Sequence, residues 1–156
     1  TGMNMYALAH RRETNFCAKE CFFDEKTEHG FDFSDYTYVA DGIDSVKAKA
    51  LLIEKARQAG IPVISSMGAG NKLDGNAFRV ADIEKTRECP LARIMRRELK
   101  TRGITGVKAV YSEEKPLAPD KSGAADGERF IGSISYVPSM AGLLLAGTII
   151  RDLIDS

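Results

Sequence analysis

The sequence lacks any net charge to argue from. Its 22 lysines and arginines are matched by 22 aspartates and glutamates, so only a local cluster can point to nucleic acid. Cysteine is scarce. The three present, an odd number with no C-x-x-C spacing, indicate a reducing compartment and argue against a thiolate zinc site. Long hydrophobic runs are missing too: the longest, residues 140–150, holds two glycines and is shorter than the roughly 18 residues of a membrane span. No secretory leader precedes the core, and the first residue is Thr, from which a piece of a longer chain is expected. What remains, 156 residues with 44% hydrophobic and 28% charged content, suits a single globular domain with a real core.

The pattern organises around residues 36–45. Aromatic and β-branched residues from 36 to 39 favour extended backbone and Gly42 permits a sharp turn. Asp44 has the chemistry of an N-cap for a helix starting at Ser45. Residues 45–59 are rich in Ala, Leu and Lys, with Gly60 as a helix stop, and residues 61–65 read as a buried strand. Strand, helix and strand within some thirty residues make a βαβ unit with parallel strands, and ligands of such sheets bind at the carboxyl edge. Asp41 and Asp44 sit at that edge. Each carboxylate can hold a divalent metal on a nucleotide phosphate or can simply satisfy the first N–H groups of the helix; on spacing alone the cap comes first.

Residues 65–74 form the next edge loop. Gly68-Ala69-Gly70 lets backbone N–H groups approach a ligand, and Lys72 can meet an anion. As a bare G-x-G it equally fits an ordinary glycine turn. Residues 78–83 and 107–111 read as strands, and residues 4–15 are helix-compatible. Between the two strands, Pro90 suits the first turn of a helix closed by Gly103, with Leu91, Ile94, Met95 and Leu99 on an apolar stripe. Arg93, Arg97 and Lys100 take another face, with Arg87, Arg96 and Arg102 nearby. This local basic patch suits a phosphate backbone, against the simpler reading of a solvated helix face. Cys89 ahead of the helix is read as a small buried residue, with a reactive thiol as the sharper option. Residues 113–129 form a polar, mobile loop. Residues 130–137 resume a strand, and a final helix from Pro138 or Ser139 is apolar nearly all round, for burial in the core or partly in a subunit interface.

Six segments now stand in order: Asp41-Gly42-Ile43-Asp44-Ser45, Gly68-Ala69-Gly70-Asn71-Lys72-Leu73-Asp74, Val80-Ala81-Asp82-Ile83-Glu84-Lys85-Thr86, Cys89-Pro90-Leu91-Ala92-Arg93, Val110-Tyr111-Ser112, and Gly132-Ser133-Ile134-Ser135-Tyr136-Val137-Pro138-Ser139. Together they resemble the carboxy-terminal part of the tRNA threonylcarbamoyladenosine dehydratases, a branch of the ubiquitin-activating-enzyme-like superfamily. The resemblance covers most of the chain from Asp35 onward. It implies a Rossmann-like three-layer α/β sandwich with a mixed, largely parallel sheet, lacking the amino-terminal phosphate-binding unit. It also implies ATP and Mg2+ as cofactors, a homodimer, a cytoplasmic location and no membrane. The reaction implied is adenylation and cyclisation of the threonylcarbamoyl group of tRNA.

By the same resemblance Asp44 is the catalytic and metal-positioning residue. Asp41, Ser45 and Lys49 join it in binding the nucleotide, Gly68, Ala69, Gly70 and Lys72 line the space of the adenylated group, and Arg87, Arg93, Arg96, Arg97 and Lys100 become a tRNA footprint. No glycine-rich phosphate loop occurs before Asp44, so these residues alone are not expected to turn over ATP. The family commonly has proline where Gly75 stands, a minor change in turn chemistry. Two other classes remain: an adenylyltransferase acting on a small sulfur-carrier protein, together with a cysteine desulfurase system, and a non-catalytic RNA-binding or dimerisation module.

Overall fold

The computed structural model describes residues 17–118 and 131–155. The helix expected over residues 4–15 and most of the loop expected over 113–129 lie outside them. Four strands, β1 (Val39–Asp41), β2 (Val63–Ser66), β3 (Phe78–Asp82) and β4 (Lys108–Ser112), form one sheet in the order β1-β2-β4-β3. β1 and β2 are parallel, as are β2 and β4, while β3 runs antiparallel to β4. The register sets Asp41 opposite Ser65 and Ser65 opposite Ala109, so β1 and β2 end nearly level while β4 runs on past them to Ser112. The first two strands start two residues or more beyond the runs read from sequence, at Val39 and Val63 rather than Tyr36 and Ile61.

Helices α1 (Val46–Gln58) and α2 (Pro90–Thr101) cover one face of the sheet and α3 (Tyr136–Ile154) the other. The strands alternate to serve both. Val63, Ala109 and Tyr111 join Ala50, Ile53 and Ala56 of α1 and Ala92, Met95 and Leu99 of α2 in one cluster; Ile64 and Val110 join Val137 and Ala141 of α3 in the second. A period of two along each strand and of three to four along each helix is therefore enough to build three layers.

The N-cap of α1 is Ser45, not Asp44, and its first helical residue is Val46. The Ser45 hydroxyl accepts from the Ala48 N–H at 3.5 Å, which corrects the cap expected one residue earlier. Both α1 and α2 stop in the same way. Gly60 and Gly103 have φ of +73° and +69°, and each donates its N–H three residues back. The following residue, Ile61 or Ile104, donates to Ala56 or Leu99, completing the six-to-one closure that glycine makes inexpensive. Between the helices Arg102 forks onto Glu54 and Glu98, which raises its already high pKa.

Of the strand expected over residues 130–137, the described part, 131–137, is not a strand. Ile131 to Ile134 are irregular, and α3 has already begun at Tyr136, two residues ahead of the expected start, because Pro138 falls within its first turn where the missing N–H has no partner to lose. The helix is 19 residues and apolar enough, by length and composition, to cross a membrane. Here Val137, Ala141 and Thr148 are buried on the sheet, while Leu143, Ile150 and Ile154 face outward at 70%, 58% and 76% exposure.

α3 is fastened at both ends. Near its carboxyl end Asp152 accepts from the Tyr38 hydroxyl at 2.6 Å and from Lys108 Nζ at 2.5 Å, both at the amino rim of the sheet. The Lys108 bond, with the Tyr38 bond next, holds the Asp152 carboxyl below the usual aspartate range; burial and then Asp152 itself push the Tyr38 hydroxyl up. A carboxyl whose folded pKa is depressed stabilises the fold above its unfolded value, about pH 4, and that contribution fades as pH falls through the folded value. Asp152→Asn is expected to cost about 1–2 kcal/mol at pH 7, with the gap to the parent narrowing below about pH 4. Urea denaturation at both pH values checks this, and an undiminished gap in acid counts against the charge being the cause.

Candidate active site

β1 delivers Asp41 to the carboxyl end of the sheet, and the helix behind it turns the carboxylate inward. Asp41 and Lys49 are both fully buried, with Lys49 Nζ 2.8 Å from Asp41 Oδ2. The same Oδ2 accepts from the Ser65 hydroxyl at 2.5 Å, and Oδ1 accepts from the Ile43 N–H at 2.9 Å. Lys49 also donates to Ser65 Oγ at 3.3 Å and to the Ser66 carbonyl at 2.9 Å. Its three donors are thus placed, as a buried ammonium requires. Both charges are turned on each other beneath the rim and not toward open space.

Three residues further on, Asp44 stands exposed in the connection between β1 and α1. It makes no hydrogen bond or ion pair among the described residues. With Ser45 carrying the helix cap, the Asp44 carboxylate is left as a hard oxygen donor at the rim, the type Mg2+ takes one or two of while keeping phosphate and water as its other ligands. No group of three His, Cys, Asp or Glu that would cage a metal occurs among the described residues.

The loop after β2 builds the second part. Asn71, in the left-handed region at φ +56°, donates its N–H to the Gly132 carbonyl at 2.7 Å, accepts the Leu117 N–H on its own carbonyl at 2.7 Å, and takes the Gly132 N–H on its side-chain oxygen at 2.9 Å. Asparagine tolerates that conformation better than most residues. A Cβ on Gly70 would stand 2.3 Å from Ile131 Cγ2, so any other residue here forces the Ile131 side chain to move. Glu114 closes the other side by accepting from the Leu73 and Asp74 N–H groups at 2.9 Å each. Gly75 is more than a change of turn chemistry: a Cβ there would come within 2.9 Å of Met140, so its absence lets α3 seat against the loop, where the Tyr136 hydroxyl reaches the Leu73 carbonyl.

Between these segments lies a cleft of about 360 Å³, walled by Asn71, Lys72 and Leu73 on one side and Leu117, Gly132 and Ile134 on the other. Lys72 is 2% exposed, and among the described residues its Nζ has one hydrogen bond, to the Ser112 carbonyl at 3.4 Å. Burial lowers its pKa from the ordinary lysine value, while the neighbouring Cys89 and Glu114 pull the other way. Asp44 is not among the residues lining this cleft. Cys89 is a buried free thiol at the N-cap of α2.

On α2 the exposed cations are Arg93, Arg97 and Lys100, with Arg87 just ahead of the helix. Arg96 turns back and donates to the Thr86 carbonyl and hydroxyl at 2.8 and 2.5 Å, which removes it from the outward patch. Ile94, expected on the apolar stripe, is 46% exposed, and Ala92 takes the buried place. Asn71, Ser65 and Glu114 carry much of this geometry and were missed by sequence reasoning. Only Asn71, a turn-tolerant residue after Gly70, gave a local signal.

No protein-family profile matches the chain. It is 34% identical over 154 residues to a tRNA threonylcarbamoyladenosine dehydratase of Bacillus subtilis, an alignment covering 91% of this chain and 60% of that protein. Its fold is similar to that of the Escherichia coli tRNA N6-threonylcarbamoyladenosine dehydratase solved in complex with ATP, with a TM-score of 0.65 at 30% identity over 77% of this chain and 49% of that one. The complex of the same E. coli enzyme with AMP gives a TM-score of 0.66 at 30% identity, covering 83% and 51%. The chain therefore spans 60% of the B. subtilis relative and about half of the solved chains.

Proposed function

We propose that the chain is part of a tRNA threonylcarbamoyladenosine dehydratase, and that the protein carrying it activates the carboxylate of a threonylcarbamoyl group on tRNA with ATP and then closes the ring. A carboxylate oxygen attacks the α-phosphorus and pyrophosphate departs. A nucleophile within the same substituent then attacks the activated carbonyl, and AMP leaves carrying that oxygen. The activation is needed because a carboxylate oxygen is a poor leaving group and adenylate a good one.

The observation that carries this reading is the likeness over 154 residues to the B. subtilis dehydratase. The geometry adds a free carboxylate at the rim where nucleotides meet such sheets. Asp44 would hold Mg2+ against the triphosphate; the ion neutralises charge that develops as pyrophosphate departs. Asp41 and Lys49 support that rim from below, fixing the strand end and the first turns of α1 from which Ser45 and Asp44 project. Gly68, Ala69 and Gly70 bring backbone close to the acyl group. A second copy of the chain covering the outward apolar side of α3 would make the homodimer that the family resemblance implies.

The test is pyrophosphate release from ATP by the full-length protein with tRNA bearing threonylcarbamoyladenosine, with unmodified tRNA, and with a small sulfur-carrier protein. Release only with modified tRNA is the expected result; release with the carrier protein alone moves the chain to the other adenylating class. The α2 patch has its own measurement. Arg93→Ala together with Arg97→Ala is expected to weaken tRNA binding and flatten the dependence of log K on log salt by about 1–2 units. An unchanged slope reduces that helix to a solvated face.

A further inference from the structure

The cleft is held together from behind by a side chain that does not line it. We propose that Glu114 is a positioning residue: by bonding the loop after β2 to the chain leaving β4, it sets how far apart the two walls of the cleft stand. The proposal rests on the adenylation reading for the identity of the group that enters the cleft, and on the hydrogen bonds at its base for the rest.

One wall is made by Asn71, Lys72 and Leu73, and the other includes Leu117, which follows closely after Glu114 in the chain. Glu114 Oε1 accepts the Leu73 N–H at 2.9 Å. Oε2 accepts the Asp74 N–H at 2.9 Å and shares that of Leu73 at 3.1 Å. The Glu114 N–H is itself fixed on the hydroxyl of Ser112 at 3.1 Å, and Ser112 is the buried last residue of β4. The carboxylate is therefore aimed from a point that the sheet holds still. Its neighbour Glu113 goes instead to Arg79 Nε at 3.5 Å and to the Tyr111 hydroxyl at 3.3 Å, and Lys115 is exposed.

Two successive N–H groups leave the loop with two donors to satisfy, and a carboxylate has the oxygens to take both. Bonds to an ionised acceptor are roughly twice as strong as neutral ones. The neighbouring ties between the same segments are neutral or long. Leu117 donates its N–H to the Asn71 carbonyl at 2.7 Å, Glu113 donates its own to the Ala77 carbonyl at 3.0 Å, and Lys72 Nζ reaches the Ser112 carbonyl at 3.4 Å. Leu73 also takes the Tyr136 hydroxyl on its carbonyl, so it is gripped through both of its backbone polar groups. Without Glu114 the N–H side of that grip is gone and Leu73 is free to move as a wall. In a cleft of about 360 Å³ such a shift matters, since a misplacement of about 1 Å can cost about a hundredfold in rate.

The experiment is steady-state pyrophosphate release by the full-length protein and by Glu114→Ala, with tRNA bearing threonylcarbamoyladenosine and ATP varied in turn. Amide hydrogen exchange is measured on both proteins. The expected result is that KM for the tRNA rises by about tenfold while KM for ATP stays within about twofold. The Leu73 and Asp74 amides are expected to exchange about tenfold faster or more, with Ile64 in β2 unchanged. Unchanged exchange at Leu73 and Asp74, a parallel rise of both KM values, or a loss confined to kcat overturns the proposal; the last is what a merely structural role gives. Should Glu114→Ala fail to fold, Glu114→Gln, which keeps an oxygen for these N–H groups but no charge, is read by the same criteria. A parent that releases no pyrophosphate with this tRNA retires the adenylation reading. The proposal is then decided by calorimetric titration with threonylcarbamoyladenosine nucleoside: it stands if Glu114→Ala binds about tenfold more weakly than the parent, and falls if the two bind alike or neither binds. Pyrophosphate release by the parent with an unchanged KM for the tRNA in Glu114→Ala leaves adenylation standing and removes this proposal.

Discussion

Asp41→Ala is expected to lower the free energy of unfolding by about 3–5 kcal/mol, the cost of stranding a buried ammonium. Lys49 would be left with the Ser65 hydroxyl and the Ser66 carbonyl but no counter-charge, in a position with no exposure to water. Ser65 and the Ile43 N–H lose an acceptor in the same step. The double replacement Asp41→Leu with Lys49→Met is expected to recover much of the loss, because removing both charges of a buried pair is far cheaper than removing one. A double-mutant cycle by urea denaturation measures the coupling. Single variants that unfold like the parent would mean that the pair does not hold the rim, and that Asp41 is free for a ligand after all.

Asp44→Ala is expected to separate activity from stability. The carboxylate is exposed and without a partner among the described residues, and Ser45 carries the helix cap, so stability should move by no more than about 0.5 kcal/mol. Pyrophosphate release by the full-length protein should fall by about a hundredfold to a thousandfold or more, the scale on which removing one preorganised electrostatic partner acts. Release at the parent's rate would place the metal elsewhere and take Asp44 out of the chemistry. The contrast between the two aspartates, three residues apart, is the sharpest consequence of the geometry: one is expected to fail in folding and the other in chemistry.

Much of the fold was legible because its signals are local. Gly60 and Gly103 mark helix ends through backbone chirality, Pro90 marks a start, and the apolar spacing of α1 and α2 follows from having one face on a sheet. The six segments that carried the family resemblance lie at sheet edges and helix starts, where the chain has few alternatives. The failures have equally physical causes. Residues 130–137 look extended by composition, yet Gly132 is held by Asn71 from 61 residues away and α3 takes Tyr136 and Val137 into its first turn. Asp41 and Asp44 could not be told apart by spacing, because what separates them is Lys49, a helical residue whose burial depends on where α1 crosses the sheet. Lys72 likewise read only as a loop cation that can meet an anion; its burial against Phe78 and Ser112 depends on segments distant in the chain. Arg96 was counted with the outward cations until Thr86 claimed it.

The last helix has one further implication. At about 1.5 Å per residue it is on the order of 28 Å long, and it is pinned at one tip by Lys108 and Tyr38 and at the other by the backbone beside Lys72. Such a rod ties its two tips together: a load on its oily outer flank near Ile150 is shared between the Asp152 anchor at one end and the loop that holds Leu73 at the other.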